Sequence, residues 1–320
     1  MRVLAAGART AIGATLDETS TSLRAGIQRF RRAPFVDDAG EAFLVAPVLE
    51  MSRKLEGTER GVLLAKPALA DLASHRHLWE GRRAGLILAL DTRWPPPSPS
   101  RSARLCQWLE DLEARWRDFP GAMVALLQSL GFSPQSHVVA AVRGDPSAFT
   151  LGLNAAKHWL ESGAVDVCLL GSVAASCEAP WLMLLDEHEL THASRRDGGV
   201  VIGEAAAFIL VGNAGPGREL EVWSRSSELD GRALRTETIA HALKEVVSAA
   251  QLRGPQELPV IVDTNGRVSR TKKWSFAQTR ALGTRKITVH KFEPATFLGD
   301  VGVATLPLYI ALAARRWAGP

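Results

Sequence analysis

Three apolar segments predict strands, and the first two are expected to be buried. They are "AGLILALD" (84–91), "VDVCLLGSV" (165–173) and "VIGEAAAFILVG" (201–212). Each has the length of a strand and lacks the polar alternation of a half-exposed one. Weaker signals predict further strands at residues 2–6, 137–142, 219–229, 258–265 and 286–290. Residues 2–6 are expected to lead into a glycine-containing turn.

Apolar positions at helical spacing separate these strands. Helices are predicted at residues 16–25, 60–74, 103–117, 122–130, 146–162, 238–251, 274–281 and 302–317. "TRWPPPSPS" (92–100) is predicted to be a loop, because its prolines disfavour both helix and sheet. Between residues 137 and 173 a strand, a helix and a second strand follow closely, which favours a parallel α/β sheet. A similar order returns later, so two halves are expected, 1–178 and 179–320.

Composition adds little to this picture. Hydrophobic residues make up 46% and charged residues 22% of 320 residues, as in ordinary globular proteins. The three cysteines are an odd number without metal-like spacing, and no apolar run reaches membrane-helix length. We therefore expect a cytoplasmic protein without disulfides, signal peptide or membrane segment. No G-x-G-x-x-G pattern follows a strand, so no nucleotide or other cofactor is expected.

The net charge of +4 is mild, but basic residues cluster in "RVSRTKK" (267–273) and at Arg285 and Lys286. We interpret this cluster as a solvated basic face, with an acidic partner as the alternative. A nucleic-acid partner is not expected.

The segment "HELTH" (188–192) matches the zinc motif H-E-x-x-H. On a helix, His188 and His192 would share one face, with Glu189 as a base. The motif, however, is predicted to end a helix, and no third ligand is evident. A zinc hydrolase is therefore kept only as a remote alternative.

The turn after the strand at 137–142 contains Gly144, Asp145, Pro146 and Ser147. A turn at the start of a helix is a common location for a nucleophile. Asp145 and Pro146 also suit the N-cap and first position of a helix. From the residues alone, Ser147 is either a nucleophile without an evident histidine partner or a plain helical residue.

Several fragments, in this order, resemble the β-ketoacyl synthase family. They are "VDVCLLGSV", "RRDGGVVIGEAAAFILVG" (195–212), "VDTNG" (262–266) and "KFEPATFLGDVGVATLPLYIALA" (291–313). The family has "D-G-F-x-x-G-E-G-A", then "E-A-H-G", then "K-S-x-x-G-H-x-x-G-A-A-G". "GEAAAFILV" is the most specific match, and the N-terminal "VLAAGARTAIG" is also similar to the family's opening strand. The resemblance covers nearly the whole chain and implies a layered αβαβα thiolase-like fold.

The resemblance also implies the positions of the family's catalytic residues. The nucleophilic cysteine falls on Pro146, the first histidine on Asn265 and the second on Thr296. The family's lysine falls on Lys291, which matches. Cys168 and Cys177 are interpreted as a core strand residue and a turn residue. None of the three expected catalytic groups is present, because Pro, Asn and Thr replace Cys, His and His.

Three hypotheses follow. The first is a non-catalytic ketosynthase-like scaffold that binds a partner or an acyl group, as chain-length factors do. The second is an acyltransferase that uses Ser147 with Lys291 and Asn265. The third is the zinc hydrolase. By resemblance, the partner would be an identical chain, an intact ketosynthase, an acyl carrier protein or a type VI secretion effector.

Two more expectations come from the resemblance. The family pairs two subunits through the strand that corresponds to residues 137–142, so a homodimer or a heterodimer is expected. Family members also continue beyond the last helix with a strand pair, whereas this chain stops at "RRWAGP" (315–320). The C-terminal sheet is therefore expected to be short.

Overall fold

The structure of the chain is a computed structural model. The structure describes residues 1–320 except 38–39, 53, 92–102, 135–138, 145–147, 188–190, 192–198, 223–235, 250–255, 284–286 and 317–320. The strands are β1 (Arg2–Thr10), β2 (Arg31–Val36), β3 (Ala42–Ala46), β4 (Ala84–Asp91), β5 (Val139–Gly144), β6 (Val167–Ala175), β7 (Ile202–Gly212), β8 (Arg218–Glu219), β9 (Gln256–Ile261) and β10 (Ile287–Phe292).

The helices are α1 (Leu16–Arg24), α2 (Gly57–Ala73), α3 (Ala103–Trp116), α4 (Phe119–Ser129), α5 (Ala148–Glu161), α6 (Ala179–Glu187), α7 (Thr236–Ala249), α8 (Val268–Leu282), α9 (Ala295–Leu298) and α10 (Thr305–Arg316). Contacts divide the chain into a first unit, Met1–Leu220 with Phe297–Pro320, and a second unit, Glu221–Thr296. The expected α/β class is confirmed. The division into halves at residue 178 stays a prediction.

The first unit is built on one mixed sheet. β4 pairs in parallel with both β5 and β6, which confirms the parallel arrangement predicted for residues 137–173. β7 then runs antiparallel to β6 on one side and to β1 on the other. Every residue of β6 and β7 is buried, and for β6 the continuous apolar run predicted this burial.

Helices pack on the sheet of the first unit. α2 contacts β1, β6 and β7, and α5 contacts β4, β5 and β6. The main apolar core lies where α2 and α4 meet the sheet and includes Leu64, Leu69, Met123, Leu169 and Phe208. α10 packs on β7, β1 and β6.

The second unit contains a parallel pair, β9 and β10, with α7 and α8. Leu258, Ile287 and Val289 from the strands pack against Leu243 and Val247 of α7 in its apolar cluster. Because both strands run in the same direction, the loops after them start at the same edge of the pair. Most of the strand predicted at 219–229 lies outside the described residues.

The structure corrects three local predictions. The first strand continues to Thr10, and the turn that was expected at Gly7 follows at Ala11. A side chain at Gly7 would lie 2.1 Å from the Ala68 carbonyl oxygen, so this glycine allows α2 to approach the strand.

The second correction is the antiparallel pair β2–β3, which was not predicted. In β2, the arginines and a proline at Pro34 hide the apolar alternation of a strand. The third is α8, which begins six residues before the predicted start. Its first turns are mostly polar, so the apolar spacing of a helix is not visible there in the sequence.

Among the described residues, no helix is both long and apolar enough to cross a membrane.

Candidate functional site

The turn before α5 is the first part of the site that the resemblance implies. β5 ends at Gly144 and α5 begins at Ala148. Asp145, Pro146 and Ser147 lie between them, outside the described residues. The interpretation of this turn as a cap or a nucleophile site therefore stays a prediction.

The other three residues belong to the second unit. Asn265 lies in the loop after β9, Lys291 lies in β10 and Thr296 lies in α9. Asn265 is buried, with 7% of its surface exposed, whereas Lys291 and Thr296 are exposed. Lys291 pairs in register with Val260 of β9, within the two-stranded sheet.

Hydrogen bonds join the loops after β9 and β10. The Thr264 hydroxyl donates to Glu293 Oε1 at 2.7 Å, and the Val262 amide donates to the Phe292 carbonyl at 3.0 Å. Asn265 Oδ1 accepts a hydrogen bond from the Arg267 amide at 3.4 Å. These bonds hold an amide, a hydroxyl and a carboxylate at the carboxyl edge of the strand pair.

The groups at this edge can form hydrogen bonds with a ligand. The amide and the hydroxyl, however, cannot act as an acid or a base near pH 7. The histidine nearest in sequence to Asn265 and Thr296 is His290, which lies inside β10 and not in the loops. Its Nε2 is 3.7 Å from Glu257 Oε1, and its side chain is exposed. Neither described loop therefore supplies an imidazole where the family's histidines were expected.

The cysteines lie elsewhere in the fold. Cys106 is in α3, and Cys168 is in β6. Cys177 lies between β6 and α6. Burial raises the pKa of the Cys168 thiol and is the main cause of the raised pKa of Cys177. Both thiols are thus kept neutral and sheltered, which confirms the interpretation of the pair as buried structural residues.

His188, Glu189 and His192 lie outside the described residues, and the helix before them, α6, ends at Glu187. Within the described part of the chain, no group of three or more His, Cys, Asp or Glu side chains could hold a metal ion. The zinc alternative stays untested.

A buried ion pair links the family-like segment "GEAAAF" to α2, and sequence analysis did not identify the pair. Arg60 Nε and Nη2 each donate to Glu204 at 2.7 Å, one to each carboxylate oxygen. Glu204 Oε2 also accepts from the Val48 amide, and Arg60 Nη1 donates to the Glu50 carbonyl at 2.8 Å. Both side chains are almost fully buried.

The charge of Arg60 is preserved in this environment. Burial by itself would lower the pKa of Arg60, but the hydrogen bond and the negative charge of Glu204 outweigh it and raise that pKa. A second buried carboxylate, Glu178, accepts from the Gly57 amide at 2.7 Å and from Trp116 Nε1 at 3.3 Å. The two glutamates hold the segment before α2 on the sheet. In the sequence, Glu204 could have been singled out because it lies in the most specific motif, "GEAAAFILV". No local pattern indicated that Arg60 or Glu178 would be buried and charged.

No family model matches the chain. No curated protein sequence matches it either.

Solved structures do match it. A Streptomyces albus oxazolomycin ketosynthase domain aligns with a TM-score of 0.64 and 12% identity, over 98% of this chain and 63% of that one. The chain thus spans less than two thirds of that structure's length. A complex of a type II PKS acyl-carrier protein with its ketosynthase aligns with a TM-score of 0.71 and 13% identity, over 98% and 85%.

A ketosynthase in complex with its chain length factor, from Xenorhabdus doucetiae, is also similar. The TM-score is 0.68 and the identity 14%, over 97% of this chain and 82% of that one. At such identities the likeness establishes the fold and leaves the chemistry open. The chain therefore has the thiolase-like fold that ketosynthases and chain length factors share.

Proposed function

We propose that the chain is a non-catalytic, ketosynthase-like partner subunit. The observation that carries this proposal is the location of its three cysteines, Cys106, Cys168 and Cys177. Cys106 lies in α3, Cys168 in β6 and Cys177 after β6, so none stands in the turn before α5, where a condensing enzyme of this fold needs a thiolate. Pro146, which stands in that place in the sequence, has neither a nucleophilic atom nor an amide proton.

The residues at the two histidine positions support the same proposal. Condensation requires groups that promote decarboxylation and stabilise the developing negative charge. Asn265 is buried and its amide group forms hydrogen bonds, but it is not an acid or a base near pH 7, and Thr296 is exposed in a short helix. Binding of an acyl group near Asn265 is compatible with this arrangement, and turnover is not expected.

A protein partner is supported by similar complexes and by the edge of the first sheet. Similar structures include a ketosynthase with its chain length factor and a ketosynthase with an acyl-carrier protein. Among the described strands, β5 pairs with β4 alone, which leaves its other edge available. Val139 of β5 and Leu151 of α5 are 38% and 59% exposed. A second ketosynthase-like subunit would cover both.

The test is purification of the tagged chain from its native host, followed by mass measurement and identification of the bound protein. We expect a 1:1 complex with a ketosynthase-like subunit that retains its own cysteine. If the purified chain is a homodimer, its partner subunit is a second copy of itself, and the non-catalytic role is unchanged. A monomer at micromolar concentration, with no bound protein, would contradict it.

Catalysis by other residues is the second candidate. Ser147 directly precedes the first residue of α5, where backbone amides point out of the helix end. In this alternative Ser147 would be acylated, with Lys291 and Asn265 as auxiliary groups. The three residues come from different units of the chain.

Intact-mass measurement after incubation with acyl–coenzyme A and with acylated carrier protein separates the two candidates. We expect no adduct on the native chain. An acyl adduct that Ser147→Ala removes and Ser162→Ala retains would establish the acyltransferase and overturn the non-catalytic proposal. Ser162 is a suitable control because it lies at the other end of α5.

A further inference from the structure

α8 presents a mixed apolar and basic surface to solvent. Val268, Lys272, Phe276 and Thr279 are exposed at spacings of four, four and three residues, which places them on one side of the helix. The half-buried Lys273 and the exposed Arg280 flank this row. We call these six residues the exposed α8 face.

The opposite side of the helix is buried. Ala281 and Leu282 pack with Leu243 and Val247 of α7, and Trp274 packs against the same cluster. The orientation of α8 is therefore determined by its own core contacts. The outward direction of Phe276 follows from that orientation.

Phe276 is 63% exposed, the largest exposure of a bulky apolar side chain among the described residues, and Val268 is 54% exposed. One exposed apolar residue is ordinary, but two on the same helix face form a possible anchor for another molecule. An aromatic residue surrounded by polar neighbours is typical of the energetic centre of a protein interface.

The charged residues that α8 itself contributes are all basic. α8 contains Arg270, Lys272, Lys273 and Arg280 and no Asp or Glu. Arg270 pairs with Asp263 and Arg280 with Glu237, which leaves two lysines. Within the described chain, neither Lys272 nor Lys273 has a carboxylate within 4 Å.

We infer that the exposed α8 face binds an acidic amphipathic helix of a protein partner. Phe276 and Val268 would contact the apolar stripe of that helix, and the two unpaired lysines would face its carboxylates. An aliphatic anchor beside an aromatic one favours a protein over single-stranded nucleic acid, which uses a series of aromatic residues along a longer basic groove. The inference does not depend on the proposed function, since it concerns neither the start of α5 nor the edge of β5.

The test replaces Phe276 with the photo-crosslinking residue p-benzoylphenylalanine in the native host. The matched control carries the same residue at Val246, an exposed position of α7 outside the face. We expect an adduct at 276, absent at 246, whose crosslinked peptide has acidic residues beside apolar residues at helical spacing. Lys272→Glu with Lys273→Glu should reduce its yield severalfold.

A synthetic peptide with the crosslinked sequence then measures affinity for the purified chain. Phe276→Ser should weaken binding by about tenfold or more, and Val246→Ser should leave it unchanged. Higher salt should also weaken binding. The inference is overturned by the absence of an adduct at 276, or by equal adducts at both positions. It is also overturned by an adduct with nucleic acid, lipid or a second copy of the chain.

Discussion

At the scale of single residues, the chemistry of the candidate site depends on identities that are read directly from the chain. Pro146, Asn265 and Thr296 carry no thiol and no imidazole, whatever their surroundings. Burial adds to this conclusion for the cysteines, because Cys168 and Cys177 are held neutral inside the first unit. The contacts of Glu204 and Gly7 are likewise residue-scale features, and both make measurable predictions.

Glu204→Gln is expected to destabilise the first unit by about 3–5 kcal/mol, because the change leaves the buried Arg60 guanidinium without its counter-charge. Urea unfolding followed by circular dichroism measures the loss. Glu161→Gln removes an exposed partner of Lys157 and should change the free energy of unfolding by less than about 0.5 kcal/mol. Equal effects of the two variants would mean that the buried pair contributes no more than a surface pair.

Gly7→Ala should cost about 1–3 kcal/mol, because the added methyl would overlap the Ala68 carbonyl and push α2 away from β1. Gly121→Ala is the control. It lies in α4 with nothing near its position, and a gain of up to about 1 kcal/mol is expected. Differential scanning calorimetry of both variants measures the difference. A neutral Gly7→Ala would show that α2 does not approach the strand so closely.

At the scale of elements, local pattern predicts most strands and helices. An element that buries one face has apolar residues at regular spacing in the sequence. β4, β6 and β7 were recognised by their apolar runs alone. β2 and β3 were missed, since their pairing compensates for arginines and a proline that disfavour a strand locally. Pairing between two strands depends on both of them, so the local pattern of either strand alone does not predict it.

The edge of β5 that no described strand pairs with makes an element-scale prediction. Leu151→Asp should dissociate the expected dimer, because a carboxylate would be buried in the interface without a partner. The control, Leu63→Asp, changes a leucine of α2 that is 40% exposed and should leave the assembly intact. Sedimentation velocity at micromolar concentration distinguishes the two masses. Dissociation by Leu63→Asp, or none by Leu151→Asp, would place the interface elsewhere.

At the scale of the whole molecule, the two units differ in how their sheets are covered. β6 and β7 are buried along their full lengths and pair on both sides. β10 contains only half-buried and exposed residues and pairs only with β9 among the described strands. The backbone hydrogen bonds between β9 and β10 are therefore more accessible to water than those of β6 and β7.

Native-state hydrogen exchange should reflect this difference. Amides of β6 and β7 should exchange more slowly than those of β9 and β10 by at least about tenfold, because opening the first sheet exposes a fully buried core. Mass spectrometry of peptic fragments gives the rates. Equal protection would indicate that the two units open as one.

The sequence by itself determined the α/β class, the positions of the buried strands and the identities of the residues at the positions that the resemblance assigns to the family's catalytic groups. These depend on composition and on short-range periodicity, which the chain carries locally. The tertiary structure decided which distant residues meet. It paired Arg60 with Glu204 across 144 positions, and it made Gly7 a contact with α2 instead of a turn. It also oriented α8 with Phe276 toward solvent. Such contacts depend on how elements pack, and packing between residues far apart in sequence leaves no periodic signal along the chain.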